Sequence, residues 1–95
     1  MMEKEIKTIL LDRGYSERNA SLVARELLQL SEQLRPLLSR WISNEEETLD
    51  YEAHGYTIRG LMTNRGMTYP AALLTIDWLI KEPEQAKRSL TRGIK

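Results

Sequence analysis

Apolar residues recur at helical spacing along most of the chain, and the clearest case lies between residues 69 and 80. Thr68 or Tyr69 is the expected N-cap, because Pro70 then occupies the first or second helical position, where a missing N–H costs little. At a rotation of about 100° per residue, one broad arc of this helix can face a core. That arc contains Tyr69, Ala72, Leu73, Ile76, Leu79 and Ile80.

The same helix carries a second apolar arc, formed by Ala71, Leu74 and Trp78. Thr75 and Asp77 are the polar seams between the two arcs. A helix that is apolar nearly all round is normally covered on more than one side. Either the rest of this chain or another chain is therefore expected to cover Leu74 and Trp78, and the three apolar residues are the predicted partner-binding site.

The start of the chain predicts a helical hairpin. A first helix is expected from Glu3 to Arg13, with acidic residues in its first turn, where the helix dipole favours negative charge. Gly14 can take the left-handed conformation that ends a helix, and Ser16 can cap the helix that follows.

Apolar residues then continue close to every 3.5 residues from Ala20 to Trp41. Pro36 interrupts this run, and proline removes one helical hydrogen bond and clashes with the preceding turn. Because the apolar phase continues through Pro36, we expect one long kinked helix from about Glu17 to Ile42. The sequence leaves open whether Pro36 bends this helix or splits it in two.

The second half predicts further helices and no strand, because it contains no sustained period-2 alternation. A short helix capped by Ser43 or Asn44 is expected to run to Ala53 and to close at His54-Gly55. Thr57 opens another, which stops at Asn64-Arg65-Gly66 before the central helix. A last helix is expected from Glu84 to Arg92, following Pro83.

These elements predict an all-α fold, a compact single-domain bundle of about five or six helices over residues 1–95, with a long kinked helix and two helical hairpins. The two hairpin turns resemble each other, since Arg13-Gly14-Tyr15-Ser16 and Arg65-Gly66-Met67-Thr68 lie 52 residues apart. Either an internal repeat or the common chemistry of glycine stops and hydroxyl caps explains this likeness.

Composition narrows the classes of function. Lysine plus arginine equals aspartate plus glutamate, at 14 each, so no global field attracts nucleic acid or an anionic membrane. The absence of cysteine excludes disulfides and thiolate chemistry within this sequence. The N-terminal residues lack a signal-peptide pattern, and the apolar stretch near residues 71–80 is shorter than the roughly 20 residues of a membrane span. We therefore expect a cytoplasmic protein without a membrane partner.

Catalytic chemistry has little support in the sequence. Glu47, Asp50 and His54 would share one face of a helix and form a candidate metal or acid–base site. A catalytic metal usually draws its ligands from several elements, so acidic residues on one helix more often form its solvated face. There is no serine elbow and no phosphate-cradling glycine loop. We expect no enzyme activity, no cofactor, no metal and no small-molecule substrate.

A DNA-binding helix-turn-helix is the alternative function. The helix after Gly14 carries residues that can contact bases and phosphates, although two glutamates dilute their charge. The central helix is a poorer recognition helix because it exposes mainly apolar side chains and Asp77. The neutral composition argues against nucleic acid as the partner. The candidate DNA contacts are Arg18, Asn19, Ser21 and Arg25, and the diluting acids are Glu17 and Glu26.

The sequence thus predicts a non-catalytic protein–protein interaction or regulatory module. Tryptophan is enriched at interface hot spots, but in a small domain without phenylalanine Trp78 and Trp41 can equally fill the core. Tyr69 or Trp41 would extend the surface formed by the second arc. If that surface is open, its partner is another protein or a second copy of this chain, since one surface can pair with itself about a two-fold axis to form a homodimer.

Overall fold

A computed structural model describes residues 3–45 and 48–92, and the chain divides into two compact units, Met1–Glu47 (unit 1) and Thr48–Lys95 (unit 2). The described residues contain six α-helices and one two-stranded antiparallel ribbon, which confirms the all-α fold class. The prediction of a single domain stays a prediction. The helices are α1 Glu3–Asp12, α2 Glu17–Leu27, α3 Arg35–Ile42, α4 Ile58–Arg65, α5 Tyr69–Lys81 and α6 Pro83–Arg92.

The first hairpin of unit 1 forms as predicted, with α1 packed against α2. Gly14 has φ +100°, a left-handed conformation that glycine adopts without steric cost. This turn lets the Tyr15 N–H donate to the Leu10 carbonyl at 3.0 Å, so that a terminal carbonyl of α1 is satisfied. The Ser16 hydroxyl then accepts from the Asn19 N–H at 3.2 Å and caps α2.

The predicted long kinked helix from Glu17 to Ile42 is wrong. α2 ends at Leu27, a short 3-10 helix follows at Glu32–Leu34, and α3 begins at Arg35. Pro36 therefore lies in the first turn of α3, where its missing N–H would have had no helical acceptor. The apolar spacing was misleading because a series of buried leucines continues from the end of α2 through the segment that follows it into α3. Leu27, Leu30, Leu34, Leu37 and Leu38 are all buried.

The Arg13 side chain joins the end of α1 to the end of α3. Its guanidinium donates to the carbonyls of Trp41 at 2.9 Å and Ile42 at 3.2 Å, and to Oδ1 of Asn44 at 3.0 Å. It also lies over the Trp41 ring, 4.1 Å from its centroid. Asn44 has φ +59°, and this left-handed residue ends α3. A cation placed at helix-terminal carbonyls complements the negative end of the helix dipole.

The predicted helix from Ser43 to Ala53 is wrong within the described residues. Residues 48–51 are not helical, and Glu52–Ala53 (β1) pairs antiparallel with Tyr56–Thr57 (β2). His54 has φ +51° and Gly55 has φ +87°. Two consecutive positive φ angles characterise the tight two-residue turn that matches the twist of a β-hairpin. The prediction that no strand occurs is therefore also wrong.

Replacing His54 with asparagine is expected to stabilise this ribbon by about 0.5 kcal/mol, because asparagine is the preferred first residue of such a turn. His54→Asn should raise the urea midpoint of unfolding, followed by circular dichroism. Gly55→Ala is the opposing control and should lower it, since alanine is strained at φ +87°. A lower midpoint for His54→Asn would contradict the assigned turn.

Unit 2 confirms the second hairpin and its caps. The Thr57 hydroxyl accepts from the Gly60 N–H at 3.0 Å and starts α4. Gly66, with φ +66°, ends α4, and the Thr68 hydroxyl caps α5 by accepting from the Ala71 N–H at 3.3 Å. α5 packs against α4, β1 and α6. The predicted core arc of α5 is buried from Tyr69 to Leu79, while Ile80 at its end is half-buried.

The two hairpin turns share their local structure. Each has a left-handed glycine, Gly14 or Gly66, followed two residues later by a hydroxyl cap, Ser16 or Thr68. The turn chemistry is sufficient to produce this likeness, because each turn must end one helix and start the next within four residues.

Candidate protein-interaction surface

The second apolar arc of α5 is half-buried. The exposed fractions of Ala71, Leu74 and Trp78 are intermediate, above those of the buried core arc and below those of fully exposed residues. We call these three residues the outer arc. Their position matches the prediction of a helix that is apolar on two sides, and the outer arc retains area that another molecule can cover.

Trp78 borders an open groove beside α6. The indole N–H donates to Oε1 of Glu82 at 3.3 Å, a contact made at the exposed edge of the ring. The groove has a volume of about 430 Å³ and combines an aromatic surface with charged and polar side chains. Its lining is Trp78, Glu84, Gln85, Arg88 and Ser89.

One of the two polar seams of α5 is an ion pair. Asp77 is 7% exposed, and its carboxylate lies 2.8 Å from Nζ of Lys81, one turn later on the same helix. A buried carboxylate without a cation would be costly, so Lys81 compensates Asp77 where α5 passes from the core to the surface. This pair separates the outer arc from the core arc on one side of the helix.

The two aromatic residues proposed to extend the surface have other roles. Tyr69 is 3% exposed and its hydroxyl donates to the Thr48 carbonyl at 3.3 Å, so the prediction that Tyr69 extends the surface is wrong. Trp41 belongs to unit 1, where Arg13 stacks on its ring. Trp78 instead shares its groove with residues of α6.

The candidate metal and acid–base site loses its geometric basis. Asp50 and His54 do not share a helical face, because His54 lies in the β-turn and Asp50 precedes β1. Asp50 instead pairs with Arg59, with 3.1 Å between Oδ1 and Nε. Glu47 lies outside the described residues. Within residues 3–45 and 48–92, no three acidic, histidine or cysteine side chains cluster as metal ligands would.

The candidate DNA-contacting residues lie on α2. Arg18, Asn19 and Arg25 are exposed, and Ser21 is half-buried. Oε1 of Glu17 lies 3.0 Å from Nζ of Lys7, and Glu26 is exposed. Both acidic residues belong to α2, the helix that carries the candidate contacts. Leu22, which is exposed, lies between the two arginines along the chain. This mixture of charge and apolar surface differs from the polar face of a recognition helix.

Among the described residues, no helix reaches the length and hydropathy that crossing a bilayer requires. Comparisons with family models, with curated proteins and with solved structures find no match to this chain.

Proposed function

We propose that the protein is a non-catalytic interaction module that binds another protein through the outer arc of α5 and the adjoining groove of α6. The observation that carries this proposal is the half-buried Trp78 ring at the edge of an open groove of about 430 Å³. Tryptophan supplies a large contact area at a small loss of conformational entropy, and it dominates the binding energy of many interfaces.

The groove has the composition of an interface. The Trp78 ring can cover an apolar side chain of the partner, while Glu84 and Arg88 on α6 offer charged groups of both signs beside it. A polar rim around an apolar anchor is the usual arrangement at protein–protein contacts. Ala71 and Leu74 continue the apolar surface along α5, so an elongated partner segment fits it better than a compact small molecule.

Trp78→Ser tests this proposal. The chain, immobilised at one end, would be incubated with extract of the cells that produce it, and retained proteins would be quantified against the chain. We expect a partner retained at a ratio near one to one by the unchanged chain, and a loss of at least tenfold for Trp78→Ser, because a hot-spot truncation costs about 2 kcal/mol or more.

Leu28→Ser is the matched control, since it removes an apolar side chain that is 37% exposed in unit 1. It should retain the partner as the unchanged chain does. Far-UV circular dichroism of both variants must match that of the unchanged chain, so that unfolding is not mistaken for lost binding. Equal retention by the unchanged chain and Trp78→Ser would overturn the proposal, as would the absence of any stoichiometric partner.

A further inference from the structure

A second open groove lies within unit 1 and is lined by residues of α1, α2 and α3. It has a volume of about 230 Å³. Part of its lining is buried and aliphatic, since Ile6, Leu27 and Leu38 are at most 7% exposed. The groove therefore places aliphatic surface beside an exposed cation and an exposed hydroxyl. Its exposed lining residues are Leu28, Arg35 and Ser39.

The apolar part of the groove fits a short aliphatic chain. Leu28, the residue that follows α2, is 37% exposed and so keeps apolar surface that the rest of the chain leaves uncovered. Among the described residues, no aromatic side chain lines the groove, so a flat ring finds no stacking partner there. A cavity of about 150 Å³ holds benzene, with six carbons, so a groove of this volume holds roughly nine heavy atoms in proportion.

The cation of the groove is held in place by the backbone. Nε of Arg35 donates to the Leu30 carbonyl at 3.1 Å, which fixes the guanidinium against the segment that precedes α3. A guanidinium has five N–H donors, and this bond uses one of them. Nη1 and Nη2 together can still donate to the two oxygens of one carboxylate, in the bidentate geometry that makes such pairs strong.

No carboxylate of the described residues neutralises Arg35. It makes no ion pair there, not even with the exposed Glu32 three residues earlier, and no described acidic residue lines the groove. Ser39 lies one turn after Arg35 on the same face of α3. Its hydroxyl shows no hydrogen bond within residues 3–45 and 48–92. A guanidinium and a hydroxyl are thus available together to an anion.

We propose that this groove binds an aliphatic carboxylate of about six to eight carbons, the length that its volume accommodates. The chain of the ligand covers Leu28 and the buried aliphatic lining, while its carboxylate accepts hydrogen bonds from Arg35 and Ser39. A singly charged, planar anion matches one guanidinium. The site belongs to unit 1 and does not rest on the function proposed for the outer arc.

The expected affinity is modest, because the groove is open and the ligand is small. A ligand of eight to ten heavy atoms that is covered on one side reaches a dissociation constant of about 1 mM. Such a site responds to an aliphatic acid only when the acid is abundant, so the ligand occupies the groove in proportion to its concentration.

A titration of the full ¹⁵N-labelled chain with hexanoate, followed by NMR from about 0.1 to 20 mM so that the range spans the expected constant, tests the proposal. We expect saturable shifts of the amides around Leu28 and Arg35–Ser39. Hexanol keeps the chain and lacks the charge, and acetate keeps the charge and lacks the chain. Each should bind at least tenfold more weakly, because each loses one half of the recognition.

Arg35→Gln should raise the dissociation constant of hexanoate at least tenfold and leave that of hexanol unchanged, which a merely structural role of Arg35 would not produce. Arg40→Gln is the matched control, because it removes another exposed arginine from α3 and should change neither constant. Trp78→Ser should also change neither, since Trp78 belongs to unit 2. Far-UV circular dichroism must show that each variant is folded.

The comparison of ligands needs no variant, so it tests the proposal even if Arg35→Gln unfolds the chain. Shifts that do not saturate overturn the proposal, as do equal constants for hexanoate and hexanol or for hexanoate and acetate. A short peptide that ends in a free leucine carboxylate provides the last comparison. If it binds at least tenfold more tightly than hexanoate, the groove takes the C-terminus of a protein, and the assignment to a free aliphatic acid is overturned.

Discussion

Leu73→Ala is expected to destabilise unit 2 by about 3 kcal/mol, the typical cost of removing a fully buried leucine side chain. Leu73 is 0% exposed on the core arc of α5, the helix that packs against α4, β1 and α6. The loss has two parts, the transfer free energy of the removed carbons and the cavity they leave. Such a loss is a large fraction of the roughly 5–15 kcal/mol that stabilise a small domain.

Urea unfolding followed by circular dichroism measures this effect. The control is Leu11→Ala, which removes the same atoms from a side chain that is 38% exposed and should cost only about 1 kcal/mol. Similar losses for the two variants would contradict the burial assigned to Leu73. Fluorescence of Trp78 in a Trp41→Phe background reports on unit 2 alone, because each unit contains one tryptophan.

Arg13→Ala is expected to cost unit 1 about 2–3 kcal/mol, since hydrogen bonds from a charged donor contribute about 1.5–3 kcal/mol. The substitution removes three hydrogen bonds to the end of α3 and the stacking on Trp41. It leaves the helix-terminal carbonyls of Trp41 and Ile42 without this donor. The free energy of unfolding from urea titration, with Trp41 fluorescence as the local probe, measures the loss.

Two variants separate the role of the guanidinium from that of charge alone. Arg13→Lys keeps the cation near the end of α3 but lacks the planar fork that reaches several acceptors, so an intermediate loss is expected. Arg40→Ala removes an exposed arginine from α3 and should change stability by less than about 0.5 kcal/mol. If Arg13→Ala cost no more than Arg40→Ala, Arg13 would not join the two helix ends.

The caps and stops of the helices could be predicted because they depend on neighbouring residues. Ser16, Thr57 and Thr68 each accept a hydrogen bond from a backbone N–H three residues later, and Gly14 and Gly66 supply the left-handed conformation. These interactions form within one or two turns of the chain. The residue types at these cap and stop positions were therefore sufficient to predict both helical hairpins.

The break before Pro36 and the β-ribbon were not predicted, because a longer apolar pattern conflicts with the local signal in the first case and the local signal is very short in the second. Helical spacing of leucines persists from Leu27 to Leu38 although the backbone leaves the helix between α2 and α3. Leu49, Tyr51 and Ala53 alternate with the exposed Asp50 and Glu52 before the His54-Gly55 turn. That short alternation is the signal in the sequence for the strand. The glutamates that precede it favour the start of a helix instead, because negative charge suits the first turn.

The sequence by itself determined the all-α fold class, both glycine hairpins and the two apolar arcs of α5, because each follows from helical periodicity and from capping within a few residues. Only the tertiary structure decided which apolar side chains stay accessible. Tyr69 is buried, Trp78 meets a groove formed by α6, and Leu22 faces solvent. Exposure depends on which elements pack together, and residues distant in sequence determine that packing.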